Sequence, residues 1–114
     1  MSMDTGWLAD NWARIHRRVE AACREAGRDP AEVALTVLDL PVVGQDRDDV
    51  WERVERLRGR TAAATYARRH HAGTPDQHRE RYAGLADRGV STVFVALPDL
   101  ARPEDLLDVA SMLP

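Results

Sequence analysis

Two nearly continuous apolar runs, at residues 33–43 and 90–97, stand out against an otherwise mixed sequence. Both runs are rich in β-branched side chains and are flanked by glycine or proline, which favours strands over helices. Apolar runs without polar alternation are typical of strands that are buried on both faces, as in parallel sheets. Pro41 and Pro98 lack the N–H that a ladder needs, so we expect each to stop regular pairing.

Helical periodicity accounts for most of the remaining chain. Residues 7–26 carry apolar side chains at steps of three and four, which predicts an amphipathic helix. These side chains are Leu8, Trp12, Ile15, Val19, Ala22 and Ala26. Further helices are predicted at 46–58, 61–71, 74–89 and from 103 onward, with a short capped turn at 29–32. Trp51 is assigned to packing, Tyr82 is directed inward, and the last helix carries Leu106, Val109, Ala110 and Leu113 on one side. We expect the helix at 75–88 to pack beside the strands. Asp46 has the character of an N-cap, and the series 74–77 has the pattern of a capping box.

The predicted order is therefore α, β, α, α, α, β, α. Two apolar strands joined by helices indicate a parallel pair with a right-handed crossover. The predicted fold class is α/β, with two parallel strands and about five helices in a single segment, 1–114, without an internal boundary. A sheet usually has about five strands, and two strands do not provide an interior for each other. The chain thus has the pattern of a section of a larger α/β protein.

Composition narrows the class of partner. The 114 residues are 44% hydrophobic and 31% charged, which is a globular composition. The net charge of −3 disfavours nucleic acid, whose phosphates require a clustered positive surface. No apolar stretch reaches the roughly 20 residues of a membrane span, and no secretory leader is visible. These features predict a cytoplasmic protein with neither nucleic-acid nor membrane partners.

The basic residues are all arginine, and the chain contains no lysine. A P-loop lysine is therefore excluded, and so is a lysine Schiff base with pyridoxal phosphate. Cys23 is the single cysteine, so no internal disulfide is possible.

A series of segments in chain order resembles the late part of luciferase-like oxidoreductases, most closely the bacterial branch that uses a deazaflavin coenzyme. The segments are EAGRDPAEV at 25–33, LTVL at 35–38, VGQDRD at 43–48, HAGTPDQ at 71–77, LADRGV at 85–90, TVFV at 92–95 and PDL at 98–100. The resemblance extends over roughly residues 10 to 113, and the ordered series is more specific than any of its parts.

This resemblance implies a partial (β/α)₈ TIM-barrel segment. A complete barrel needs about 250 residues, so the chain would supply only the last two strands and their helices. The resemblance further implies a luciferase-like monooxygenase or oxidoreductase that transfers hydride with reduced deazaflavin or FMN. Most of the family's cofactor pocket lies on earlier strands. We therefore expect activity only with a chain that supplies those strands, and no tight cofactor binding by this chain alone.

A second resemblance is to the barrel-shaped pyridoxal-phosphate homeostasis proteins. It covers residues 11–15, 27–30 and 33–35. In that family the first strand leads to a Ser-Lys pair that carries the cofactor. Here Leu38-Asp39-Leu40 occupies that place and lysine is absent, so the central residue of this alternative is missing.

Four residues are candidates for cofactor contact: His71, Gly73, Thr74 and Asp39. A helix that starts at Gly73-Thr74 exposes N–H groups able to bind an anion, unless Thr74 caps its own helix. Asp39 is the only charge in its strand. It should either meet substrate at the mouth of a barrel or form a salt bridge with an arginine.

Three histidines, His70, His71 and His78, cluster near the same turn. Imidazoles in this number could bind a metal, but histidines at a helix end also cap carbonyls and favour the negative end of the helix dipole. No acidic or cysteine partner has ligand spacing. We therefore assign neither a metal site nor a catalytic residue from the sequence.

Two non-catalytic alternatives remain open. The chain could be a remnant that forms a homo-oligomer through unpaired strand edges and exposed apolar side chains. The predicted patch consists of Leu35, Val37, Val93 and Val95. Alternatively, it could be a small binding module with a ligand of its own.

Overall fold

The computed structural model describes residues 2–99 and 102–113, with side chains from Asn11 onward. The described chain is mixed α/β, with five α-helices and two parallel strands. The elements are α1 (Ser2–Ala26), β1 (Leu35–Asp39), α2 (Arg47–Leu57), α3 (Ala63–Arg69), α4 (Pro75–Asp87), β2 (Val90–Val95) and α5 (Glu104–Ala110). A 3-10 turn at Pro30–Glu32 precedes β1. The chain divides into two compact units, up to Leu35 and from Thr36.

The first unit consists of α1 and the turn that follows it. The stripe of α1 that is shielded from solvent runs through Trp12, His16, Val19 and Cys23, and Cys23 is buried. Ala22 is exposed, as is Ala26, so the prediction that both lie on the apolar face is wrong. The steps 12, 16, 19 and 23 keep one face of a helix with 3.6 residues per turn. Leu8, also assigned to that face, lies outside the residues whose side chains are described.

A Schellman motif ends α1. The N–H of Arg28 donates to the carbonyl of Cys23 at 2.8 Å, and the N–H of Gly27 donates to Arg24 at 3.2 Å. Gly27 has φ +68°, a left-handed conformation that glycine adopts without steric cost. Asp29 then accepts from the N–H of Ala31 and caps the 3-10 turn, as predicted.

The second unit is organised around the parallel pair of β1 and β2. The N–H of Ala96 donates to the carbonyl of Asp39 at 2.8 Å, and this register places Phe94 opposite Leu38. The helix α4 packs beside β2, as the sequence predicted. The prediction that both strands are buried on both faces is wrong, because exposure alternates along them.

The alternation separates a covered face from an open face. The covered face carries Val37, Val93 and Val95, which are half-buried, and Asp39, which is buried. The open face carries Thr36, Leu38, Thr92 and Phe94, all exposed. The predicted apolar patch of Leu35, Val37, Val93 and Val95 was therefore placed on the wrong residues. The side chains of Leu38 (68% exposed) and Phe94 (58% exposed) are those that meet solvent.

Beyond Pro41 the chain makes a second set of parallel contacts. Val42 donates its N–H to the carbonyl of His70 at 3.1 Å, and its carbonyl accepts from the N–H of Gly73 at 3.0 Å. Val43 and Gly73 form an isolated parallel bridge. Val42 and Val43 are buried, which makes this extension the most shielded part of the first apolar run.

The helices α2 and α4 begin at side-chain caps that the sequence predicted. Asp46 accepts from the N–H of Asp49 at 2.9 Å. Thr74 and Gln77 form a reciprocal capping box. Gly44 leads into α2 and is buried. A Cβ at Gly44 would lie 2.7 Å from the backbone nitrogen of Val50, so this approach of loop to helix requires glycine.

The last helix, α5, differs from its prediction in the face that it buries. Periodicity predicted Leu106, Val109, Ala110 and Leu113 on the inner side, whereas Leu106 and Leu113 are exposed. Asp105 and Met112 are buried instead. The cause is an ion pair between Asp105 and Arg53, at 2.7 Å, which turns the start of α5 toward α2.

Candidate functional site

A chain of polar contacts lies between the end of β1 and α4, on the covered face of the sheet. Asp39 Oδ2 accepts from the guanidinium of Arg81 at 2.6 Å and from the hydroxyl of Tyr82 at 2.7 Å. The same Arg81 nitrogen donates to Nδ1 of His78 at 2.8 Å. Nε2 of His78 lies 3.0 Å from the carbonyl of Val42. We name these four side chains, of Asp39, His78, Arg81 and Tyr82, the strand-end cluster.

The geometry of the strand-end cluster fixes the tautomer of His78. A guanidinium only donates and a carbonyl only accepts. Nδ1 of His78 must therefore be the unprotonated nitrogen, and Nε2–H must donate to Val42. Because both ring nitrogens are used in this way, the neutral imidazole is the form that fits. His78 is 1% exposed, so a charged ring would also lose its hydration.

The shifts in the pKa values of the cluster residues agree with this arrangement. Burial lowers the pKa of His78, and Arg81 lowers it further despite the hydrogen bond to Val42. Burial alone would raise the pKa of Asp39, but the hydrogen bonds from Arg81 and Tyr82 outweigh it and the pKa is lowered. Burial and the Asp39 carboxylate raise the pKa of Tyr82. At neutral pH the cluster therefore holds one carboxylate, one guanidinium, a neutral imidazole and a phenol.

The four candidates for cofactor contact lie near one another but have different surroundings. Asp39 forms the salt bridge with an arginine that was one of its two predicted roles. Gly73 is buried and bonded to Val42. Thr74 accepts from the N–H of Gln77, and its own N–H donates to Oε1 of that residue. His71 is exposed and has φ +48°, in the left-handed region.

The other two histidines of the turn also have defined surroundings. His70 stacks against Tyr66 with ring centroids 4.3 Å apart, and its Nδ1 donates to the carbonyl of Leu40 at 2.8 Å. Although His71 is exposed, partial desolvation of its ring and the nearby charge of Arg81 lower its pKa. Within the described residues, no group of His, Cys, Asp or Glu side chains is arranged to hold a metal ion.

A second polar cluster surrounds Arg53, which is 2% exposed. Its guanidinium donates to Asp49 at 3.1 Å, to Asp99 at 3.1 Å and to Asp105 at 2.7 Å. The hydrogen bond from Arg53 lowers the pKa of Asp105 to about 2, against the opposing effect of burial. This cluster joins α2 to the segment after β2 and to α5, so its role is structural.

A cleft of about 380 Å³ opens between α2, α3 and the start of α4. Its lining includes Arg47 and Trp51 from α2, Ala67 from α3, and Gln77 from α4. Trp51 is 40% exposed. It therefore does not have the core packing role that its sequence position suggested.

Sequence reasoning missed most of the strand-end cluster. His78 was interpreted as a turn histidine and Tyr82 as a core residue, while Arg81 was not singled out. The available signal was spacing, because residues 78, 81 and 82 lie at i, i+3 and i+4 and share one face of a helix. A helix that presents His, Arg and Tyr on its inner face needs an acceptor opposite, and Asp39 is the one charge in the first apolar run.

Comparisons with protein-family models, curated proteins and solved structures found nothing that matches this chain. Among the described helices, none combines the length and apolar character needed to cross a membrane.

Proposed function

We propose that this chain is a wall segment of a luciferase-like (β/α)₈ oxidoreductase. In this proposal it supplies two parallel strands and their outer helices, and it is inactive until the remaining strands complete the barrel. The activity of the completed protein would be the hydride transfer with reduced deazaflavin or FMN that the sequence resemblance implies. The observation that carries the proposal is the unequal covering of the two faces of the β1–β2 pair.

In a (β/α)₈ barrel the helices lie outside the strands, and the inner faces of the strands pack together in the interior. The β1–β2 pair has the corresponding asymmetry. Its covered face lies against α4 through the strand-end cluster, whereas its open face exposes Leu38 and Phe94 side by side. Apolar side chains of this size in contact across two strands are ordinarily buried. An interior formed with further strands would bury them.

The candidate residues do not by themselves fit a flavin or deazaflavin. Asp39 lies on the covered face and is engaged by Arg81 and Tyr82. The capping box occupies the side chain of Thr74, and Gly73 is bonded to Val42. His71 alone keeps an exposed ring. We therefore place the cofactor contacts chiefly on strands outside these 114 residues and assign no reaction step to the side chains described here.

The DNA that surrounds the coding sequence provides the most direct test. The proposal expects a sequence for the earlier βα units of a barrel, either in frame upstream or as a separate neighbouring gene. Its product, joined to this chain or coexpressed with it, should form a complex that binds reduced deazaflavin or FMN. The absence of such a sequence from the genome would contradict the proposal.

Substitution of the open face tests whether the wall is used as proposed. Phe94→Asp should prevent assembly with the barrel partner, because it would place a carboxylate in the apolar interior. Arg60→Asp is a matched control, since Arg60 is exposed and lies outside both strands. Equal assembly of the two variants in sedimentation would show that the open face is not the contact surface.

Self-association is the second candidate, and the same open face favours it. Two copies could bury Leu38 and Phe94 against each other without any cofactor. Sedimentation of the purified chain at low micromolar concentration distinguishes the two. A stable homodimer that neither takes up a barrel partner nor binds flavin would support the non-catalytic function. A monomer that assembles only with the partner would support the barrel wall.

A further inference from the structure

We infer that the cleft between α2, α3 and the start of α4 is a binding site for a small aromatic carboxylate. This inference does not rest on the barrel proposal, because every lining residue belongs to the second unit of this chain. The cleft volume of about 380 Å³ falls at the small end of the range of ligand pockets, which begins near 300 Å³. Three features of the lining select the ligand: an arginine without an ion pair among the described side chains, an exposed aromatic ring, and more hydrogen-bond donors than acceptors.

The cation is Arg47, the first residue of α2. Among the residues whose side chains are described, no carboxylate forms an ion pair with it. The N-terminus of a helix carries partial positive charge, so an unpaired arginine there is electrostatically unfavourable. A bound anion would relieve this repulsion and would give the planar guanidinium the fork-shaped partner that it binds best.

Asp48 follows Arg47 directly, but residues at i and i+1 do not face each other on a helix, and the other nearby carboxylates have other partners. Asp46 accepts from the N–H of Asp49, and Asp49 accepts from Gln45 and from Arg53. On the opposite wall, Asp76 pairs with Arg79. The lining of the cleft itself contains no acidic residue. An incoming carboxylate therefore displaces no ion pair among the residues that the structure describes.

The other polar side chains that line the cleft are those of Thr74 and Gln77, and Gln77 offers a further donor. Oε1 of Gln77 is held by the N–H of Thr74, so the amide nitrogen is the part of that side chain left for a ligand. The capping box already uses Thr74 at the start of α4, and the inference does not depend on that helix end. Arg47 and Gln77 thus offer N–H groups, which a carboxylate accepts.

The preference of the cleft for a ligand with an aromatic ring comes from Trp51. It lies one turn after Arg47 on α2, at the i, i+4 spacing that places two side chains on one face. Trp51 is 40% exposed, although aromatic side chains usually gain from burial. Ala67 and Ala72 line the same cleft and have small side chains. A ligand ring stacked there, with its carboxylate directed toward Arg47, would match both groups of the cleft.

Benzoate, benzamide and acetate are suitable probes. Benzamide lacks the negative charge of benzoate, and acetate lacks its aromatic ring. The indole N–H signal of Trp51 reports binding in a ¹⁵N-correlated NMR titration of the full chain. We expect a saturable benzoate shift at that signal, with an affinity at least about tenfold above those of benzamide and acetate. Equal shifts for benzoate and acetate, or a benzoate shift absent from Trp51, would overturn the inference.

The variants separate the charge from the ring. Arg47→Gln should lower benzoate affinity about tenfold, to the level of benzamide, and should leave benzamide unchanged. Arg60→Gln removes an exposed arginine outside the cleft and should change neither. Trp51→Leu removes the indole reporter, so binding to this variant is followed at the side-chain amide of Gln77, and benzoate and benzamide should weaken together. An Arg60→Gln loss as large as that of Arg47→Gln would show a nonspecific charge effect and would contradict the site.

Discussion

The two faces of the β1–β2 pair reverse the usual placement of residue types. Asp39 is 6% exposed on the covered face, while its neighbour Leu38 is 68% exposed on the open face. A lone buried carboxylate costs free energy, and an exposed leucine forgoes a gain of about 1.5–3 kcal/mol. The covered face nevertheless offsets this cost, because Arg81 and Tyr82 both donate to Asp39. The open face has no comparable partner among the described residues.

The covered face therefore stabilises the second unit, whereas the open face is available for contact with another molecule. Changes on the covered face should alter folding stability, since the strand-end cluster joins β1 to α4. Changes on the open face should alter association and leave the stability of the chain nearly constant. The predictions below test that separation.

The largest effect is expected for Asp39→Ala. The substitution leaves the guanidinium of Arg81 without its carboxylate and the hydroxyl of Tyr82 without its acceptor. Because Arg81 keeps some access to water, we expect a loss of about 3 kcal/mol in the free energy of unfolding, measured with urea. The control is Asp87→Ala, an exposed carboxylate at the end of α4, which should cost less than about 0.5 kcal/mol. Similar losses for both variants would contradict the role of the cluster.

Acid should weaken the covered face in two steps. The pKa of His78 is lowered from 6.5 on folding, so the unfolded chain takes up this proton first as the pH falls. Stability from this group is therefore complete above pH 6.5 and decreases below it, with a slope of at most about 1.4 kcal/mol per pH unit. The lowered pKa of Asp39 adds a further loss below pH 3.8.

Urea unfolding between pH 7.5 and 5 measures the first step. His78→Gln should reduce the slope in that range, and His71→Gln should remove the contribution of the other histidine whose pKa is lowered. An unchanged slope in His78→Gln would contradict the neutral, doubly bonded imidazole.

A smaller effect is expected for Tyr82→Phe. It removes one hydrogen bond to Asp39 but keeps the ring and the Arg81 salt bridge. We expect a loss of about 1 kcal/mol in the free energy of unfolding. Tyr66→Phe is the matched control, because the Tyr66 ring stacks on His70 and the substitution retains that contact. A loss of stability in Tyr66→Phe but not in Tyr82→Phe would contradict the role of the Tyr82 hydroxyl in the strand-end cluster.

The smallest change in stability is expected for Phe94→Thr on the open face. Phe94 is already 58% exposed, so the free energy of unfolding should change by less than about 0.5 kcal/mol. Val93→Thr, one residue away on the covered face, should cost more because Val93 is half-buried. Sedimentation should show weaker association, with a barrel partner or with a second copy of the chain, only for Phe94→Thr. Equal unfolding costs would show that the two faces are not distinct.

The local sequence determined most elements and their ends. The caps at Asp29, Asp46 and Thr74 form as predicted, since each depends on side-chain and backbone groups within three residues. Both strands and their parallel arrangement also follow from the apolar runs and the helices between them. The sequence also predicted that Asp39 could pair with an arginine, because a buried carboxylate needs a partner.

Only the tertiary structure decided which partners meet and which faces stay open. Arg81 lies 42 residues from Asp39, and the chain offers sixteen arginines, so composition could not select one. The buried side of α5 depends on Asp105 reaching Arg53, which outweighs the apolar periodicity of that short helix. Alternating exposure of the strands could not be seen in runs that are apolar on both faces. The sequence records which residues tolerate burial, and the arrangement of neighbouring elements determines which of them are covered.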